Sequence, residues 1–262
     1  MSKQQTPNVL FLDIETAPIL AHVWGLFNND VGLNQIISDW HLMSFSAKWE
    51  GSEEIEYADV SDQLHMENDY ALLVRLRELL DAADIVVAHN GRKFDIKKIN
   101  ARFLEFGISP PSPYQIVDTL EVVKKHFGFT SNKLAFLTSK LCKKHKKITE
   151  RKYAGHILWL ECQRRNDDAW REMREYNMMD VLSLEEFFNV LRPWISQLNY
   201  GVYAESPEPM CPKCGSKHII FRGYRKKLTG EYARFRCSDC GGWGESRFAR
   251  PKSSRKELIK GS

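Results

Sequence analysis

Asp13 and Glu15 in VLFLDIETAP, Asp95 in VVAHNGRKFD, and Tyr176 with Asp180 in YNMMD are residue types from which a site for hard divalent cations can be built. Carboxylates loaded with such ions are suited to hydrolysing a phosphodiester. The first pair follows Val9, Leu10, Phe11 and Leu12, an unbroken apolar run that reads as a strand buried on both faces. Side chains alternate along a strand, so Asp13 and Glu15 leave it on one face. Like charges so close raise each other's pKa, a cost that a bound cation relieves. Taken alone, the pair also reads as a solvated strand terminus or a helix cap.

The elements that must position the other acids follow the same logic. Asp84 to Ala88 is a short β-rich apolar run, followed by the turn His89-Asn90-Gly91 and a helical pattern from about Phe94 to Phe106. Ile96, Ile99 and Phe103 fall at helical spacing and face inward, leaving Lys97, Lys98 and Arg102 elsewhere. Asp95 then lies in the first turn, where it either complements the helix dipole or serves the site. A longer helix begins with Asp167 or Asp168 as its cap and runs towards Pro193, with Trp170, Met173, Val181, Leu184 and Phe188 as its apolar stripe. Tyr176 and Asp180 are four residues apart, hence one turn apart on one face. Each segment by itself has an ordinary structural reading; their conjunction, in this order and on these elements, points to one site.

Strand D-x-E, then N-x-x-x-F-D, then Y-x-x-x-D resembles the DEDDy branch of the 3′–5′ exonuclease superfamily. The chain is similar to stand-alone relatives of the proofreading domain of family B DNA polymerases. The likeness covers about residues 8 to 195 and includes IVDTLEVVKK, SNKLAFLTSKL and DDAWREMREYNMMDVLSLEEFF. It implies an α/β ribonuclease H-like fold, a mixed sheet flanked by helices. It also implies that Asp13, Glu15, Asp95 and Asp180 hold two Mg²⁺ or Mn²⁺ ions, roughly 4 Å apart in such sites. In that scheme Asp13 bridges both ions, Glu15 and Asp180 serve the ion on the nucleophile side, and Asp95 supports the second through outer-shell or water-mediated contact. Tyr176 takes the place filled by histidine in the sister branch and orients the attacking water. The expected activity is release of 5′-mononucleotides from DNA, single-stranded or at 3′ ends. A 3′–5′ exoribonuclease or a flap or branch nuclease is the alternative among enzymes, and a non-catalytic nucleic-acid or replisome adaptor the alternative of another class.

Other residues near these motifs keep two readings. Asp118 either caps its helix or approaches the site. Asn90 contacts substrate or tolerates the turn before the helix. Thr16, at the end of D-x-E-T, is a candidate substrate contact. Trp24, Phe27 and Trp40 follow the first motif; packing is the expectation for them, and base stacking the alternative. His89 and His156 carry no specific assignment.

A second site lies near the C-terminus. Cys211-Pro-Lys-Cys214 and Cys237-Ser-Asp-Cys240 have the spacing of a four-cysteine zinc site, with Gly215 and Gly241 fitting the tight knuckles. Strands are expected over 218–225 and 232–236, joined at Leu228-Thr-Gly-Glu, which makes a small β zinc ribbon around one structural Zn²⁺. Cys142 and Cys162 read as apolar positions. With no leader peptide seen, reduced thiols and a cytoplasmic setting, bacterial or phage-like, are expected.

Charge separates the two parts. From residue 201 onwards there are 14 Lys or Arg against 6 Asp or Glu, a balance of +8, whereas residues 1–200 carry 24 against 28, or −4. Alternation puts Tyr232, Arg234 and Arg236 on one face of a strand, and Arg222 with Tyr224 on one face of the strand before it; arginine beside tyrosine suits phosphate contact and base stacking. A solubilising surface and a protein-docking face remain the other readings. The expected organisation is a nuclease domain over 1–200, a proline-stiffened linker over 201–209, the ribbon over 210–250 and a basic tail over 251–262. No apolar run is long enough to span a membrane. Nothing resembling a polymerase follows, so a free-standing enzyme, or one recruited by a replication or repair protein, is expected.

Overall fold

A computed structural model describes residues 6–27, 29–145, 152–205, 208–228 and 230–251. The tail beyond Pro251, linker positions 206 and 207, and Thr229 in the ribbon turn lie outside the described residues. The chain divides into two compact units, Asn8–Asn189 and a smaller one from Val190 onward.

The larger unit is built on β1 (Val9–Thr16), whose Val9–Leu12 segment is buried as its apolar run requires. It pairs on one side with β4 (Leu42–Trp49), antiparallel, and on the other with β6 (Ile85–Ala88), parallel. With β5 (Ile55–Asp59) and β7 (Gln115–Asp118) at the edges, the mixed sheet has the order β5-β4-β1-β6-β7. A short hairpin, β2 (Leu20–Ala21) with β3 (Ile36–Ser38), stands apart from it. This is the expected ribonuclease H-like arrangement.

Helices flank the sheet. α1 (Tyr70–Ala82) buries five leucines, and α2 (Asp95–Glu105) buries Ile96, Ile99 and Phe103 at the spacing read from sequence. α3 (Thr119–His126), α4 (Leu134–Leu141) and α5 (Ile157–Gln163) are short; α6 (Asp167–Leu191) is the long one. Its ring Phe188 meets Phe11 edge-on at 5.4 Å, seating α6 on the face of β1 that also carries Asp13 and Glu15. The expected cap of this helix needs correction: the side chain of Asn166 accepts the Asp168 N–H at 3.1 Å, so Asp167 and Asp168 sit in the first turn. Two acids there still complement the dipole.

The smaller unit contains β8 (Ile219–Lys227), β9 (Gly230–Cys237) and β10 (Trp243–Ala249) in one antiparallel sheet. The third strand was not expected, because Gly-Gly-Trp-Gly-Glu-Ser shows little β alternation. Upstream residues brace the first cysteine knuckle: buried Arg192 donates to the Tyr200 hydroxyl and the Lys213 carbonyl, and the Tyr200 N–H donates to Pro212.

One buried ion pair ties the larger unit together. Asp69, fully buried, accepts the Leu42 N–H at 2.8 Å and two guanidinium nitrogens of Arg102 at 2.6 and 2.9 Å. Arg102→Met should destabilise the protein by about 3 kcal/mol, because it strands a buried carboxylate. The double change with Asp69→Asn should recover part of that loss in denaturant titration; a single-variant loss below ~1 kcal/mol would mean that the pair is screened like a surface bridge.

Candidate active site

The C-terminal end of β1 and the middle of α6 converge. One carboxylate oxygen each from Asp13, Glu15 and Asp180 lies within 4.8 Å of the others, although Asp180 is more than 160 positions from the other two in sequence. At an effective dielectric of 20, each such pair repels by about 3 kcal/mol. Side chains that relieve or hold these acids surround them. Asn177, fully buried on α6, donates its amide to Asp13 Oδ2 at 2.5 Å and accepts from the Ser44 hydroxyl at 3.4 Å. Trp159 on α5 donates its indole N–H to Glu15 Oε2 at 3.2 Å and meets the Tyr176 ring edge-on.

Asp95 reaches the same place by another route. The pairing of β1 with β6 runs only from Val9/Ile85 to Phe11/Val87. Beyond it the Ile14 N–H donates to Asp95 Oδ1 at 3.2 Å, so the first turn of α2 is held against the end of β1. That approach depends on Gly91, where a Cβ would lie 2.3 Å from the Ala88 Cβ. Asn90 makes the turn with φ +69°, the left-handed conformation that asparagine tolerates. Asp118 plays both of its expected parts: it caps α3 through the Leu120 N–H and accepts the Asn90 and Arg92 N–H groups of the turn that carries Asp95.

Burial raises Asp13 well above the usual carboxylate range, reinforced by Glu15, Asp180 and Asp95 and opposed by the Asn177 hydrogen bond. Burial also pushes Asp95 up to about 7, opposed by its own and the Ile14 backbone N–H groups and reinforced by Asp118. The Tyr176 hydroxyl is raised by burial and by the adjoining acids, Asp180 first, to which it is hydrogen-bonded. It therefore stays protonated and acts as a donor. A cation bound among these acids would oppose each of these shifts.

A cleft of about 490 Å³ opens beside Tyr176 and Asp180, lined also by Asn90, Lys124 and Lys133. Thr16 is half-buried at the end of β1, where the pairing with β4 shifts register. Packing does not describe Trp24 and Phe27, which are 101% and 86% exposed; Trp40 does pack, with the Lys98 ammonium 3.5 Å above its ring. Both ring nitrogens of His89 are engaged, by Thr119 and the Asn132 carbonyl, and His156 merely precedes α5.

Sequence reasoning missed Asn177 and Trp159. Asn177 had a signal: it interrupts the stripe Trp170, Met173, Val181, Leu184, Phe188 at helical spacing, where only a partnered polar group is tolerated. Trp159 had none, since its partner is 144 residues away.

In the smaller unit Cys211, Cys214, Cys237 and Cys240 form a second cluster. Their closest Sγ pairs, Cys211–Cys240 and Cys214–Cys237, stand at 3.6 and 3.7 Å. A disulfide needs about 2.05 Å, whereas a tetrahedron of thiolates 2.3 Å from one zinc ion has edges of about 3.8 Å. Lys213 and Gly242 N–H groups point at Cys211 and Cys240 Sγ, both at 3.4 Å, as in thiolate-turning knuckles. Against the burial that would raise it, the Cys240 and Asp239 N–H groups bring Cys237 down to about 7. The donor set fits a zinc ribbon. Of the other candidates, Tyr232, Arg234 and Arg236 share a face as expected, but Arg222 and Tyr224 are separated by a β-bulge. Tyr224 stands opposite Ala233, on the face away from Tyr232.

A family model describing the RNase_H superfamily matches residues 10–192, most of the chain and all of the acidic site. The chain belongs to the RNase_H superfamily. Membership supports a nuclease acting on nucleic acid with divalent metal ions, for which Asp13, Glu15 and Asp180 are placed. Among solved structures, the family B DNA polymerase from the archaeon Pyrobaculum calidifontis is similar at 12% identity and a TM-score of 0.48, covering 71% of this chain and 25% of the polymerase. The chain thus spans about a quarter of that polymerase's length. A search of curated proteins finds no match. Among the described residues, no helix of this RNase_H-superfamily chain is long and apolar enough to cross a membrane.

The shift of Asp95 has a measurable sign. The native chain keeps a proton on Asp95 up to about pH 7, which the unfolded chain loses near the ordinary value of 3.8. Stability of the metal-free protein should therefore fall as pH rises through that window, by a few kcal/mol at most. Asp95→Asn should flatten the decline and raise the melting temperature at pH 8 in chelator; an unchanged profile would mean that Asp95 is not held protonated.

Proposed function

We propose that the chain is a metal-dependent 3′–5′ exonuclease that hydrolyses DNA, single-stranded or at 3′ ends, and releases 5′-mononucleotides by a two-metal-ion mechanism. The observation that carries the reading is the convergence of Asp13, Glu15 and Asp180 oxygens within 4.8 Å, with Tyr176 against them. Polarity and DNA preference rest on the resemblance of the D-x-E, N-x-x-x-F-D and Y-x-x-x-D motifs to the DEDDy branch. The nuclease would occupy residues 1–200, with the ribbon over 210–250 joined by a 201–209 linker and followed by a basic tail over 251–262.

When bound, two Mg²⁺ or Mn²⁺ ions activate a water and stabilise the leaving 3′-oxygen. Asp13, Glu15 and Asp180 would hold them. Asp95, spent partly on the Ile14 N–H, supports from outside. Asn177 and Trp159 are positioning residues: each donates to one acid of the D-x-E pair and leaves that acid's remaining lone pairs for metal. Tyr176 orients the attacking water through a hydroxyl that keeps its proton. Lys124 and Lys133 in the adjoining cleft suit the phosphates of the strand. One Zn²⁺ on the four cysteines would be structural. Thiols kept for a metal, with Cys142 and Cys162 buried and unpaired, fit a cytoplasmic setting, and a replication or repair protein is the expected protein partner.

The test is product analysis on matched 3′- and 5′-labelled DNA and RNA oligomers in Mg²⁺. Mononucleotides should leave the 3′ end of DNA; faster RNA turnover would move the reading to an exoribonuclease, and no hydrolysis would favour an adaptor. Asp13→Asn or Asp180→Asn should abolish turnover with the fold intact. Tyr176→Phe should lower kcat on the order of 10²-fold with KM little changed, and equal kcat would make Tyr176 a packing residue.

A further inference from the structure

We infer that one face of the three-stranded ribbon is a binding surface for single-stranded nucleic acid, with Trp243 and Tyr232 as stacking platforms. This rests on the reading that the chain acts on nucleic acid. Strand register assigns the face: paired residues project to the same side of a sheet, and Arg225 pairs with Tyr232, Lys227 with Gly230, Glu245 with Arg234 and Trp243 with Arg236. Arg225, Lys227, Tyr232, Arg234, Arg236 and Trp243 therefore stand together. The bulge beyond Phe221 sends Tyr224 to the opposite side, with Phe221, Ala233 and Phe235. Gly244 lets the Phe235 ring lie across β10, since a Cβ there would come within 2.3 Å of it. The two faces thus differ in kind, one aromatic and basic, the other aromatic and apolar.

Charge and ring exposure select the occupant. Residues 210–250 hold 10 Lys or Arg against 3 Asp or Glu, or +7; four thiolates and Zn²⁺ would lower this to +5. Part of the face is already compensated, because Glu245 pairs with both Arg225 and Lys227. Arg234 and Arg236 are exposed and, among the described residues, paired with no acid of the face; Arg234 Nε–H donates to the Arg222 carbonyl at 2.8 Å, which leaves its terminal nitrogens and the Arg236 guanidinium to phosphates. Trp243 is 51% exposed, and cations attend both rings: Arg234 at 5.6 Å from the Trp243 centroid and Lys227 at 5.1 Å from that of Tyr232. A ring flanked by a cation accepts a base and its phosphate together. Only unpaired bases offer a face for stacking, so a single strand fits and a closed duplex does not.

The experiment uses the full chain with Asp180→Asn, zinc-loaded and in the presence of Mg²⁺, so that strands survive. Binding of a long labelled single strand is measured by fluorescence anisotropy over a range of salt concentrations, beside a blunt duplex of equal length. Adding Trp243→Ala with Arg234→Gln should weaken single-strand binding roughly tenfold or more and make the salt dependence shallower by about one in log–log slope. Phe221→Ala with Tyr224→Ala, on the other face, should leave both unchanged. Zinc content equal to that of the parent shows that the ribbon has folded; if it falls, Arg236→Gln alone serves as the second variant, and its slope should drop likewise. Equal affinity and slope in a zinc-replete variant, or an equal loss from the opposite face, would overturn the assignment and leave the face to a protein. Hydrolysis of a short oligomer by the same face variants with Asp180 restored is scored separately. Its absence in the parent would sink the nuclease reading without touching the binding result.

Discussion

Repulsion among carboxylates governs this molecule. Three acid oxygens within 4.8 Å, with a fourth carboxylate buried beside them, are unfavourable unless protons or cations intervene. Much of the surrounding structure exists to hold them there. β1 is anchored by a run buried on both faces, and Phe188 of α6 packs on the same side of β1 as the acids. The strand pair β1–β6 opens just where Asp95 enters, so a backbone N–H that would otherwise lack a partner becomes part of the site. Asp118 then fixes the turn from below, linking β7 and α3 to the same acids.

The same logic in thiolates organises the smaller unit. Four clustered sulfurs, two pairs of them at the edge length of a tetrahedron and each receiving a backbone N–H group, set the ends of the β-sheet. With so little interior, such a unit would draw stability from a metal bound by these thiolates. Its strands are then free to present polar and aromatic side chains on both faces, which a core-bearing sheet could not do.

Local patterns were legible in the sequence to the extent that their causes were local. The run Val9–Leu12, the alternation that places Asp13 with Glu15, the one-turn spacing of Tyr176 and Asp180, and the cysteine pairs each depend on near neighbours. Contacts between distant segments were not legible. Trp159 meets Glu15 only because α5 folds back, and Asn177 could have been read only as a flaw in an apolar stripe. Asn166 took the cap from two adjacent aspartates, a choice among three good cap residues that composition cannot make. A single extra residue in β8 reversed the side taken by Tyr224. Trp24 and Phe27 show the reverse failure, since large aromatic rings were expected to find a core and did not.

The claim that cations answer the carboxylate repulsion is open to direct measurement. Metal-free protein would be titrated calorimetrically with Mn²⁺ near neutral pH, in two buffers of different ionisation enthalpy. Because burial makes Asp13 and Asp95 hold protons more tightly than ordinary carboxylates do, the account predicts saturable binding accompanied by proton release, lost in Asp13→Asn. Saturable binding with no proton released and no sensitivity to Asp13, or no binding at all, would contradict it.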